Sequence, residues 1–210
     1  MDGWSVTTLG QICSGVRIFK GPRLKSENLI VENEGPGIEP YYTPSAVLQE
    51  KSDSAKLLNV SLASAKQIST INAVRVYRGD IVITRSGTIG RVAYITQRLD
   101  GAIVSDDLIR VRIPDEKIRM YAYQFLMSEM ARNQMLKNEY GAVQQHLEPN
   151  HVSNILIPVP SEWSEVDLLV EKVKLQIAMK EELEQSTSSL DVMTKDFLLR
   201  LIEEANNKNA

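Results

Sequence analysis

The sequence predicts an α+β protein in two parts: a mostly antiparallel, partly barrel-like β-sheet domain with flanking helices over residues 1–160, and a long C-terminal helix over residues 161–210. Three observations carry this reading. Between Ala73 and Ile113, short apolar runs with period-two alternation recur at regular spacing between glycines. From Glu116 to Lys137 the apolar positions change to a helical rhythm. Past Trp163, an apolar stripe at steps of three, four or seven continues for roughly 40 residues.

In chain order, Asp2 to Ile12 reads as a short strand or turn and one helical turn. Cys13 to Ser26 reads as a loop with Arg17, Lys20, Arg23 and Lys25 gathered around Gly21-Pro22. Glu32 to Pro44, with Gly35-Pro36-Gly37 and three prolines, is irregular, and Tyr41-Tyr42 belong to core or domain surface. Asn59 to Asn72 is small and polar and reads as loop and short strand. Strands follow at Val74–Tyr77, Ile81–Thr84, Val92–Thr96, Ala102–Val104 and Leu108–Ile113. One helix covers Glu116 to Lys137, with Ile118, Ala122, Phe125, Leu126 and Leu136 near a 3.6-residue rhythm. A strand from Asn154 to Val159 closes the domain, and Pro158 and Pro160 stiffen the exit because each fixes its own φ and restricts the residue before it.

The most informative stretch is Gly79 to Arg91, GDIVITRSGTIGR. Ile81 and Ile83 alternate with Val82, and Val92 and Tyr94 repeat the pattern, so a polar Arg-Ser-Gly-Thr turn sits between two strands. Gly87 and Gly90 allow φ > 0 or close backbone approach, which lets Arg85, Ser86 and Thr88 project. Taken alone, an ordinary hairpin with a polar tip accounts for this segment equally well. A phosphate-binding P-loop does not, because Gly-Lys-Ser/Thr is absent and a strand follows where that loop needs a helix.

On the last helix, Leu168, Leu175, Met179, Leu183, Leu190, Met193, Phe197 and Leu201 share the stripe. At 1.5 Å per residue the rod is about 60 Å long and needs a partner. Ser186 to Ser189 are poor helix formers, so a break there, giving a helix hairpin, is the competing reading.

At 210 residues and 43% hydrophobic, the chain can bury a substantial core. It shows no apolar run of membrane-spanning length and no signal-peptide layout, so the simplest reading is a cytoplasmic protein with no membrane partner. Lone Cys13 reads as a buried structural thiol. The net charge of −3 is unevenly spread: 18 Lys and Arg face 16 Asp and Glu up to Pro160, and 6 face 11 beyond it. Arg75, Arg78, Arg85 and Arg91 form a second basic cluster along the hairpin, and such stripes on a near-neutral domain can contact phosphates. For any one of these residues, solvated surface is the simpler reading.

Downstream, Gly141-Ala142-Val143-Gln144-Gln145-His146-Leu147 leads into Val152-Ser153-Asn154-Ile155-Leu156-Ile157-Pro158-Val159-Pro160 and then the long helix. Together with the opening Trp4-Ser5-Val6-Thr7-Thr8-Leu9-Gly10-Gln11-Ile12 and the GDI…GTIG segment, this succession resembles the target-recognition domain and adjoining conserved helix of the specificity subunit of type I restriction–modification systems. Such a subunit usually has two recognition domains and two helices, so the resemblance implies a half-subunit, naturally short or truncated, or a specificity domain cut from a larger fused enzyme. It further implies sequence-specific binding to double-stranded DNA, reading one half of a bipartite target. Methyl transfer and cleavage would belong to separate modification and restriction subunits docked on the helices, with S-adenosylmethionine bound on the methyltransferase subunit and no cofactor on this chain. The family's two helices pack antiparallel as a spacer. Here the second helix would come from another copy, a homodimer formed through Leu175, Met179, Leu183, Leu190, Met193, Phe197 and Leu201.

On that reading, phosphate contacts come from Lys20, Arg23, Lys25 and Arg91. Base edges are read by Arg85 at guanine, Gln144 or Gln145 at adenine, and Ser86 and Thr88 at either. Catalysis by the chain itself is disfavoured. It lacks the Gly-rich cofactor loop and the Asn/Asp-Pro-Pro-Tyr/Phe segment of an adenine methyltransferase. Asp106-Asp107 and Asp115-Glu116-Lys117 read as loop and helix start rather than a nuclease centre, and His146 and His151 have no third metal ligand nearby. A coiled-coil protein-interaction module without DNA readout is the remaining alternative.

Overall fold

The computed structural model describes residues 3–49, 55–136 and 146–208. Ten strands form three open sheets among these residues. β1 (Trp4–Thr8) pairs antiparallel with β10 (Leu156–Pro160). A second sheet runs β2 (Arg17–Lys20), β9 (Leu108–Arg112), β6 (Ile81–Thr84), β7 (Val92–Tyr94), antiparallel throughout. The third runs β3 (Ile30–Val31), β5 (Lys56–Asn59), β4 (Ile38–Tyr42), β8 (Ile103–Val104), where only β4–β8 is parallel. The sheets are mostly antiparallel as expected, but they stay separate and close no barrel.

The alternation in β6 has a clear physical outcome. Ile81 and Ile83 enter the main core with Tyr94, Ile109 and Val111, while Val82 enters a second cluster with Ile95, Val104 and Leu108. Both faces are covered, which is why the strand is apolar at every position before Thr84. The main core is closed by α3 (Glu116–Leu126), α4 (Glu129–Leu136), α5 (Pro149–Ser153) and the start of α6 (Asp167–Lys208).

Several elements differ from the sequence reading. Val74–Tyr77 is no strand: Val74 ends helix α2 (Ala65–Val74), and only Arg75 bridges to Ile103. The reason lies at Ser64, whose hydroxyl accepts from the Gln67 amide while the Gln67 side chain accepts from the Ser64 amide. This capping box starts a helix in the polar Asn59–Asn72 stretch, and Ile71 and Val74 fasten it to the core. A short α1 (Pro44–Gln49) was likewise not anticipated. The loop from Cys13 to Ser26 contains β2, recruited by β9. The single helix from Glu116 to Lys137 divides at Met127-Ser128, where the Ser128 hydroxyl accepts from the Ala131 amide and begins α4; Lys137 itself lies outside the described residues.

Two prolines in β10 cost the ladder nothing. Both the N–H and the C=O of Leu156 are bonded to the Gln134 side chain, away from β1, so the N–H directions of positions 158 and 160 point the same way. Ser161 then donates back to the Gly3 carbonyl at 2.7 Å and ends the pairing.

Helix α6 runs 42 residues without interruption. The hydroxyls of Thr187 and Ser189 donate to the carbonyls of Leu183 and Gln185, so two of the four side chains at the expected soft spot bond within the helix. Among the described residues no helix is long and apolar enough to cross a membrane. Cys13 is half-buried, and burial raises its thiol above the ordinary value.

Candidate nucleic-acid interface

Thr84 builds the turn after β6. Its hydroxyl accepts from the Arg91 amide at 3.0 Å and donates to the Thr88 carbonyl at 2.5 Å, while the Gly90 amide donates to the Thr84 carbonyl. Gly87 and Gly90 take φ of 68° and 76°. A Cβ at Gly90 would lie 3.2 Å from the Met135 sulfur, so a glycine there lets the turn sit against α4. Gly87, Thr88 and Arg91 are exposed, and Ser86 is half-buried.

Arg85 does not project from this turn. Its side chain is 12% exposed and pairs with Glu148 at 2.5 Å and Asp107 at 3.5 Å. Its amide donates to the Asp107 carbonyl, and its carbonyl accepts from the Leu147 amide. The physical reason is a carboxylate delivered from far along the chain, which a turn sequence does not reveal. Glu148 also reaches Lys20 at the end of β2, 3.7 Å away. Its carboxyl is held below the usual glutamate range, first by the hydrogen bond from Arg85 and further by Lys20.

Thus the hairpin segment and the segment around Leu147, distant in sequence, meet at one point, with Leu147 itself buried in the core. Glu148, the acid that holds both cations, was not singled out by sequence reasoning, and Asp107 was weighed there only as a candidate metal ligand. Gln144 and Gln145 lie outside the described residues. Arg23 and Lys25 are exposed on the loop after β2; the Gln67 side chain fixes that loop by donating to the Lys25 carbonyl at 2.8 Å.

The four-arginine cluster expected along the hairpin is dispersed by acidic partners. Arg75 forms two hydrogen bonds with Glu39, Arg78 two with Glu181 of α6, and Arg85 pairs as above. Among the described residues only Arg91 of the four forms no ion pair.

A different basic group lies on the far face of the β2–β9 pair. The guanidiniums of Arg17, Arg110 and Arg112 lie 5.2, 4.6 and 5.7 Å from the centre of the Phe19 ring. Arg112 is held by Asp80 through bonds of 2.7 and 2.8 Å. Arg110 is buried, donates to the Arg75 carbonyl, and has its pKa lowered by desolvation. The Arg-x-Arg spacing in LIRVR places both on one strand face, a signal available in the sequence.

The carboxylates weighed as a nuclease centre have other partners. Asp107 faces Arg85, Asp115 accepts from the Ile118 amide at the start of α3, and Glu116 pairs with Lys174. His151 Nδ1 accepts from the Glu148 amide, and His146 is exposed. Among the described residues no group of three or more His, Cys, Asp or Glu is placed to hold a metal ion.

Helix α6 presents two apolar faces. Val170, Val173 and Ile177, with Val166 just before the helix, are buried on the domain. Ion pairs continue that contact, from Asp167 to Lys117, Glu181 to Arg78 and Glu184 to Arg98. The opposite face carries the expected stripe, and Leu168, Leu175, Met179, Leu183, Leu190, Met193, Phe197 and Leu201 are all 45–71% exposed.

With this geometry in hand, comparison with known proteins is decisive. The model of the type I restriction modification DNA specificity domain matches residues 1–185. The chain belongs to that family. Three solved structures share its fold. One belongs to work on complex assembly and conformational transition of the type I R-M system (21% identity, TM-score 0.51, covering 90% of this chain and 48% of that one). The HsdS subunit from Thermoanaerobacter tengcongensis gives 21% identity, TM-score 0.52 and the same coverages. The type I restriction-modification S subunit from M. genitalium gives 17% identity and TM-score 0.54, covering 91% and 44%. The chain therefore spans about half the length of these structures. No curated protein sequence matches it.

Proposed function

We propose that this specificity domain reads one half of a bipartite DNA target and is itself non-catalytic, with methyl transfer and cleavage supplied by modification and restriction subunits in the cytoplasm. The observation that carries this is the meeting of the GDI…GTIG hairpin with the Leu147–Glu148 segment beside an exposed, glycine-shaped turn, within a chain of this family. Arg91, Arg23 and Lys25, exposed and without ion pairs among the described residues, supply phosphate contacts. Thr88 and Ser86 reach base edges from the turn, joined by Gln144 and Gln145. Arg85 and Lys20 take part only once released from Glu148.

The two-faced helix supports two kinds of partner. The stripe from Leu168 to Leu201 pairs with the same stripe of a second copy, antiparallel, placing recognition domains at opposite ends. Val192 lies about three turns on from Glu181, and Leu199 two more, so two exposed apolar residues stand on the domain-facing side beyond the last ion pair to the domain, interspersed with Ser188 and Lys195. That side suits a modification subunit carrying S-adenosylmethionine. Methylome sequencing of cells carrying this chain with its cognate modification subunit tests the reading: a bipartite palindromic motif is expected, and methylation independent of this chain overturns it.

A further inference from the structure

Glu148 stands where two cations from distant parts of the chain meet. Each of its oxygens faces one of them, Oε1 the buried guanidinium of Arg85 and Oε2 the ammonium of Lys20. The carboxylate is itself fixed. Leu147 before it is anchored in the core and bonded to the Arg85 carbonyl, the Glu148 amide donates to His151 Nδ1, and Pro149 after it opens α5. Arg85 is 12% exposed and Glu148 37%, so the acid is the more open member of the pair. A phosphate approaching Arg85 meets a carboxylate. Resting on the DNA-reading role proposed above, we propose that Glu148 is a specificity-determining residue that withholds Lys20 and Arg85 from the backbone phosphates of non-target DNA.

The reasoning follows from how non-specific binding arises. Affinity for arbitrary duplex grows with the number of phosphates neutralised, because each releases a counterion, and each adds about 0.9 to the slope of log K against log salt. Two cations held by an internal acid add nothing to that slope. To recruit them, DNA must displace a preorganised ion pair, and only acceptors held in register with the guanidinium fork by the other contacts of a target offset the loss. Glu148 thus acts as a repulsive element against DNA whose phosphates are not held in that register.

The test uses the full chain and a random-sequence duplex of about 30 base pairs, with binding followed by anisotropy from about 50 to 200 mM KCl. Glu148→Gln keeps the shape and removes the charge. Its slope should steepen by about 1–2, with affinity at 0.1 M salt rising about eightfold per released cation. Glu148→Asp, which keeps the charge, should return towards wild type. Lys20→Met added to Glu148→Gln should remove about 0.9 of the gained slope. A role confined to holding the fold would lower the melting temperature and leave the slope unchanged. Asp107→Asn, which removes the longer ion pair of Arg85, is the second variant should Glu148→Gln fail to fold, and it should move the slope the same way by less. Folded variants with wild-type slope and affinity overturn the role of Glu148 alone. A wild-type chain without salt-dependent duplex binding overturns the DNA reading with it.

Discussion

Leu190→Asp combined with Phe197→Asp tests whether α6 pairs with a second copy. Eight large side chains on its outer face are 45–71% exposed, so in a single chain each leaves about half or more of its apolar area in water. Full burial of such a side chain is worth about 1.5–3 kcal/mol, so the exposed part is worth about 1–2. Sixteen such side chains in a dimer give about 16–30 kcal/mol gross, against about 4–15 kcal/mol for lost translational and rotational freedom. The surplus predicts a dimer at micromolar concentration. The double substitution removes four of the sixteen side chains, about 4–8 kcal/mol, and brings four carboxylates into the seam, which weakens association at least about a thousandfold. Sedimentation velocity at tens of micromolar should show twice the 23.6 kDa monomer for wild type and the monomer for the variant. Both positions lie in solvent on the single chain, so far-ultraviolet circular dichroism should be unchanged. Binding should drop from the bipartite target to the half-site. Wild type sedimenting as a monomer at that concentration refutes self-pairing.

Three further outcomes are expected. Arg91→Ala should weaken target and random duplex alike and reduce the salt slope by about 1, as a phosphate contact does, read by the same anisotropy titration. Asp80→Asn leaves Arg112 without its paired carboxylate beside Arg110 and should lower stability by about 3 kcal/mol in urea melts, whereas a loss under 1 kcal/mol would show that the stacked arginines need no counter-charge. Glu181 has its pKa depressed mainly by the hydrogen bond from Arg78, so its contribution is present above the ordinary value of 4.5 and lost as pH falls through the folded value. Glu181→Gln should therefore flatten the acid limb of stability below that pH and leave the neutral-to-alkaline limb parallel to wild type.

The sequence made some elements legible and hid others for identifiable reasons. Ile81, Val82 and Ile83 alternate, and the two cores they enter follow directly from strand geometry. The stripe on α6 was readable because helical periodicity over a long segment is hard to imitate. Helix α2 was hidden because only Ile71 and Val74 are buried from it, and the rest of its residues, half-buried Ile68 apart, are small or polar; the Ser64–Gln67 capping box was the available signal. β2 looked like loop because its partner, β9, lies some ninety positions away. The same blindness affected the site. The turn glycines announced an exposed loop, but whether Arg85 faced out was decided by Glu148, 63 residues downstream. Residue type identifies a cation; its partner decides whether it is available.

That rule also accounts for the acidic tail. An excess of Asp and Glu beyond Pro160 would repel DNA if it lay beside the reading turn. Instead Asp167, Glu181 and Glu184 are spent against Lys117, Arg78 and Arg98, and Glu184 also accepts from the Thr96 hydroxyl at 2.6 Å. These contacts run along α6 on the face that also buries Val170, Val173 and Ile177, so the first half of the helix is fixed to the domain by packing and charge together. A rod held this way transmits orientation. The position of the Thr88 turn relative to the helix axis is set within one chain, and the separation between two such turns in a paired assembly is then governed by how the exposed stripes register. A change of register by one heptad moves the helices by about 10 Å along their axis. On the proposed pairing, spacing between half-sites would be encoded in the stripe and the bases read in the turn.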